Sequence, residues 1–179
     1  MNTNSYFICL LMLSTFSVFA QEKKAGPVIA DYGKVWQVKN QDYKIKEGHE
    51  LKVVFDITDS PEDPSALNKS IETAARFLNM HGQNGVLKEQ MKVALVVHSK
   101  ASKDIITNEA YAKRYDTKNP NAEMVQQLMD AGAEFIFCGQ SSLSRDLPIS
   151  ETIPGVQLSL SAMTALIQLQ DDDYSLIKF

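Results

Sequence analysis

A chain of 179 residues, 44% hydrophobic and 22% charged, has the size and composition of one globular domain rather than two. Its formal net charge of −4 argues against a nucleic-acid binder, which carries a basic patch.

The first twenty residues stand apart. Positions 1–20 carry no charge, and residues 6–19 are almost wholly apolar. "VFA" at 18–20 resembles a small-x-small cleavage pattern, and "QEKK" turns abruptly polar. This predicts a secretory signal peptide cut after Ala20 and a periplasmic or secreted product. The alternative is a short membrane anchor, but the run is shorter than the roughly 18 residues a spanning helix requires. No stable membrane insertion is expected after cleavage. Cys9 leaves with the peptide, and Cys138 is then the only cysteine. A lone thiol in an oxidising compartment is either buried and inert or reactive.

Residues 21–50 read as an irregular N-terminal arm, with Tyr32 and Trp36 as apolar anchors. The α/β domain follows at 51–179. "LKVVFDI" at 51–57 is β-rich and predicts the first strand. Asp63 followed by Pro64 is a helix-start signal. Leu67, Ile71, Ala74, Ala75 and Leu78 recur at helical spacing, and Gly82 and Gly85 end the run. "KVALVVH" at 92–98 predicts a second strand covered on both faces. Short helices are expected at 108–114 and after Pro120, with Gly132 as a stop. The third strand is expected at 134–138, a tight turn at 139–142, a turn of helix at 142–147, and a fourth strand at 156–160. A helix capped by Ser159 or Ser161 and a fifth strand over 174–179 complete the chain. Strands alternating with helices predict a single flavodoxin-like domain: a mostly parallel five-stranded sheet with helices on both faces.

Ligands of open α/β sheets sit outside the carboxyl ends of the strands. That rule selects Asp59 after the first strand, His98 and Ser99 after the second, Cys138, Gly139, Gln140 and Ser141 after the third, and Ser161 after the fourth. Cys138 is a candidate nucleophile, because a thiolate is stabilised by helix N-termini and nearby cations. Gly139 permits a sharp turn after it. The competing reading is a cysteine that packs as a small hydrophobe. His98 is a candidate proton partner or positive neighbour for the thiol, or simply a histidine bonded at the sheet edge. Asp56, Asp59 and Glu62 cluster near one loop and read as solvated. No C-x-x-C, G-x-G-x-x-G, P-loop or G-x-S-x-G pattern occurs. The scattered histidines show no zinc-ligand spacing, so no metal is predicted.

"AARFLNMHG" at 74–82, "KVALVVHSKA" at 92–101, "AGAEFIFCGQSS" at 131–142, "PGVQLSLSAMTALIQLQ" at 154–170 and the closing "YSLIKF" together resemble the DsrE family, the DsrE/DsrF-like and TusD-related group. The resemblance covers roughly 52–179, and the segment before it resembles the extension of secreted members. It implies a flavodoxin-like domain assembling into trimers or hexamers. It also implies a cysteine after the third strand, here Cys138, that carries sulfur as a persulfide. The intracellular relatives work with partner proteins inside the cell, whereas this chain is expected to be exported.

Two functions are therefore expected to compete. One is an exported persulfide carrier acting through Cys138 with a sulfur donor or acceptor protein. The other is a non-catalytic oligomeric domain that binds a small ligand or partner and has a structural cysteine. Neither calls for a cofactor.

Overall fold

The computed structural model describes residues 22–178. Five strands form one sheet: β1 (Leu51–Ile57), β2 (Met91–Val97), β3 (Glu134–Cys138), β4 (Gln157–Ser159) and β5 (Ser175–Ile177). Five helices accompany them: α1 (Lys69–Gly82), α2 (Asn108–Tyr115), α3 (Ala122–Asp130), α4 (Gly139–Ser144) and α5 (Ala162–Asp171). The strand order is β4-β3-β2-β1-β5, and every pairing is parallel. The flavodoxin-like α/β layering expected from the sequence is present.

The apolar runs explain the layers. Side chains alternate across a strand, so Val53, Phe55 and Ile57 face one way with Val93, Leu95, Val97, Phe135 and Phe137. These pack against Ile71, Ala74, Ala75 and Leu78 of α1 and Met124, Val125 and Leu128 of α3. Val54, Ala94, Val96 and Cys138 face the other way, against Ala162, Ala165 and Leu169 of α5. The asymmetry follows from chain direction. β1, β2 and β3 step one way across the sheet, and a right-handed crossover puts α1 and α3 on one face. The connection from β4 to β5 returns the opposite way, so α5 lands on the other face.

Three local expectations are corrected. The Asp63-Pro64 signal does not open α1. Asp63 closes a separate turn, accepting from the Ser65 amide and hydroxyl at 2.8 and 2.7 Å, and α1 starts after Asn68. Asn68 outcompetes it because the fold fixes it from several sides. Its N–H donates to Asn121 Oδ1, and its amide donates to the Asp59 carbonyl and Asp104 Oδ2. Its Oδ1 is left to accept from Ser70 and Ile71 as the helix cap. The second correction concerns 139–142: it is not a turn but the body of α4, which springs from Cys138 without a loop. Third, Trp36 does not anchor the arm, being 51% exposed; the buried apolar side chains of the arm are Ile29 and Val35.

The arm lies on α1. Buried Asn79 accepts from the amides of Val28 and Ile29 and donates to the carbonyls of Ile29, Tyr32 and Gly33. Gly33, at φ +68°, lies so close to α1 that a Cβ there would sit 2.4 Å from the Ala75 carbonyl carbon. No helix among the described residues is long and apolar enough to cross a membrane. The predicted cleavage after Ala20 lies outside the described residues.

Candidate functional site

Cys138 ends β3 and is the residue immediately before α4, with only 5% of its surface exposed. It pairs with Ser159 of β4 in the strand register. Burial pushes the thiol up, but the Ser141 amide and hydroxyl and the Ala162 and Gln140 amides outweigh it, so the group lies below its ordinary value. The neutral sulfur makes no capping hydrogen bond; these donors act once it ionises, because a thiolate accepts far better than a thiol. They come from two helices. Gln140 and Ser141 open α4, and Ala162 opens α5, so the sulfur lies where two sets of unpaired helix-start amides meet.

The close approach of β4 to α4 depends on Gly139. A Cβ at that position would lie 2.6 Å from the Ser159 carbonyl oxygen and 3.1 Å from that of Leu160. Gly139 serves by its lack of a side chain, not by a left-handed backbone.

Ser141 links the sulfur to a second group of residues. Its Oγ accepts the Ser99 amide at 3.0 Å. Ser99 follows β2 with φ +54°, a left-handed conformation uncommon outside glycine, and that geometry directs its N–H toward α4. Its hydroxyl lies 3.1 Å from His98 Nδ1. His98 Nε2 faces Asp56 Oδ1 at 2.7 Å, and Asp56 Oδ2 accepts from Lys178 Nζ at 2.7 Å. The Asp56 carboxylate is nearly buried, which raises its pKa, but Lys178 and His98 bring it below the usual range. A continuous path of contacts thus runs from Lys178 through Asp56, His98, Ser99 and Ser141 to Cys138.

The sequence-predicted residues divide accordingly. Cys138, Gly139, Gln140, Ser141 and Ser99 come together. The hydrogen bonds of the His98 ring go to Asp56 and Ser99, so His98 reaches the thiol through two intervening serines. Ser161 caps α5 by accepting from the Thr164 amide at 3.1 Å, and so aims the following Ala162 amide at the sulfur. Asp59 is exposed and offers its backbone carbonyl to Asn68.

Two participants escaped the sequence reading. Asp56 is not solvated: it lies two residues from Val54 on the α5 side of β1, and its carboxylate is almost wholly covered. A lone acid on the same face of β1 as buried Val54 was the available signal. Lys178, 122 residues from Asp56, gave none. No group of three or more His, Cys, Asp or Glu side chains suited to a metal occurs among the described residues.

Fold and site together define an α/β protein whose one cysteine among the described residues, Cys138, lies at the carboxyl edge of a parallel sheet. The chain belongs to the DsrE/DsrF-like family, whose model matches residues 52–179. Two solved structures are similar. One is a protein of unknown function, MTH1491 from Methanobacterium thermoautotrophicum, at 14% identity and TM-score 0.55 over 72% of this chain and 99% of that one. The other is the ychN protein from E. coli, at 18% identity and TM-score 0.51 over the same shares. Both show the shared fold. Among curated proteins, none matches the chain.

Proposed function

We propose that this chain is an exported sulfur carrier that holds sulfane sulfur as a persulfide on Cys138. The observation that carries the reading is the set of donors converging on the sulfur from α4 and α5, in a family of sulfur-relay character. A cysteine that only fills space has no use for such donors. In the loading step the Cys138 thiolate attacks the outer sulfur of a donor persulfide, R–S–SH. The new Sγ–S bond forms as the donor S–S bond breaks. The donor leaves as R–S⁻ with the bonding pair, and the proton remains on the transferred sulfur. In unloading, an acceptor thiolate attacks that outer sulfur and Cys138 leaves as the thiolate, so no external oxidant or reductant is needed. The α4 and α5 amides stabilise the anion in both resting and leaving states.

The export part of the proposal draws on the uncharged apolar stretch before "QEKK". Self-association as a trimer or hexamer draws on the family resemblance and on a surface feature. Leu158, Leu160, Met163 and Ile167 are all more than half exposed on β4, the turn after it and α5, a grouping suited to a second copy.

A second reading rests on the burial of Cys138 in the apolar cluster with Val54, Val96 and Ala165: a structural cysteine in a binding domain. One substitution separates the two. Exposed to polysulfide, the carrier gains the mass of added sulfur, and Cys138→Ser abolishes the gain with unchanged thermal unfolding. A structural cysteine gives no mass gain in the wild type, and serine lowers the melting temperature. The latter result rejects the carrier.

A further inference from the structure

The loops after β1 and β2, the end of α2 and the end of α4 enclose a surface cleft of about 560 Å³ at the carboxyl edge of the sheet. Its walls carry Lys100, Lys103, Arg114 and Arg145 against one carboxylate, Glu62. Four converging cations are unexpected on a chain of net charge −4. Like charges gathered in a cleft repel one another, and the arrangement raises the local concentration of anions.

The cations differ in how they are held. Lys103 donates to the Pro61 carbonyl at 3.0 Å and lies over the Tyr111 and Tyr115 rings. Arg114 donates to the carbonyls of Ala110 and Asp146 and pairs with Glu151 at 2.7 Å. These two form a fixed floor. The Lys100 and Arg145 side chains have no hydrogen-bond or ion-pair partner among the described residues. They come from different segments, one after β2 and one after α4, yet line the same space. The hydroxyl hydrogens at the rim are already engaged, that of Ser60 on Asp104 and that of Ser144 on the Ser141 carbonyl. Glu62 apart, the charged groups the cleft presents to a ligand are donors.

We propose that this cleft binds a small multivalent oxyanion of the phosphate or sulfate class, either free or carried on a small organic molecule. Two free cations, Lys100 and Arg145, beside two fixed ones suit tetrahedral oxygens, and arginine grips them bidentately. The volume falls within the usual range for small-molecule sites and exceeds what a single inorganic anion fills. Tyr115, 37% exposed, offers ring surface beside the cations for an organic portion.

Calorimetric and NMR titrations of the mature chain with inorganic sulfate, inorganic phosphate and phenyl phosphate test this at low ionic strength. Saturable binding is expected for at least one probe, with amide shifts at Lys100, Ser144 and Arg145. Phenyl phosphate binding more tightly than inorganic phosphate points to an organic carrier, and equal binding points to the free anion. Lys100→Ala with Arg145→Ala should weaken binding by roughly tenfold or more, since each removes a charge-assisted contact. Lys88→Ala, at an exposed site away from the cleft, should leave it unchanged. Cys138→Ser should bind anions normally, so failure here is distinct from failure of the sulfur reading. No saturable binding up to about 10 mM of any probe, or equal weakening by Lys88→Ala, overturns the proposal.

Discussion

Replacing Ser141 by alanine tests whether the helix-start donors govern the thiol. The hydroxyl has two roles: it stabilises the ionised Cys138 sulfur, and its oxygen accepts the Ser99 amide. A hydrogen bond to a charged group contributes about 1.5–3 kcal/mol, and about 1.4 kcal/mol is a factor of ten. At a pH below the thiol's own midpoint, the thiolate population of Ser141→Ala should therefore fall by about 10- to 100-fold. A more basic thiolate is also a better nucleophile, with a Brønsted slope of about 0.4–0.5, so exchange with an aromatic disulfide should slow by only about 3- to 10-fold. Above the midpoints of both proteins the variant should exceed the wild type by about 3- to 10-fold. The released Ser99 amide should cost about 1 kcal/mol in urea unfolding. Ser142→Ala is the control: its hydroxyl bonds the Leu147 carbonyl within the same helical region, so it reports loosening of α4 without touching the sulfur. A Ser141→Ala protein that stays folded and exchanges at the wild-type rate across the pH range would refute the reasoning.

Gly139→Ala should destabilise by about 1–3 kcal/mol, because its Cβ meets the Ser159 and Leu160 carbonyls and forces β4 away from α4; urea unfolding measures the loss, and wild-type stability would contradict the close approach. Asp56→Asn should change the acid side of the stability curve. Lys178 and His98 hold the carboxyl below the ordinary aspartate value of 3.8 in the folded chain, so its contribution is complete above that pH and fades as the pH falls through the lower folded value. The wild-type advantage over Asp56→Asn should therefore hold at neutral pH and shrink below about pH 4; an advantage that grows with acid would contradict the Lys178–Asp56–His98 arrangement.

β1, β2 and β3 were legible because they are runs rich in Val, Leu, Ile and Phe bounded by polar or turn residues, and such runs bury themselves whatever lies elsewhere in the chain. Cys138 was legible as a site candidate because the last residue of a parallel strand faces the ligand edge wherever the strand sits in the sheet. Where α1 starts was not legible. Asp63-Pro64 is the stronger local signal, and Asn68 prevails through Asn121, Asp104 and Asp59, which only the folded chain assembles. Nor was the setting of the thiol. Ala162 reaches the sulfur because β4 pairs with β3 and delivers the start of α5 beside Cys138. Asp56 changes from a solvated acid to a buried one because β1 lies between β2 and β5, which place His98 and Lys178 on either side of it. Periodicity and turn chemistry act over a few residues and fix which segments become strands and helices. Charge pairing and donor placement act across strand neighbours 42 and 122 residues apart, and strand order, set by how the apolar faces are covered, decides them.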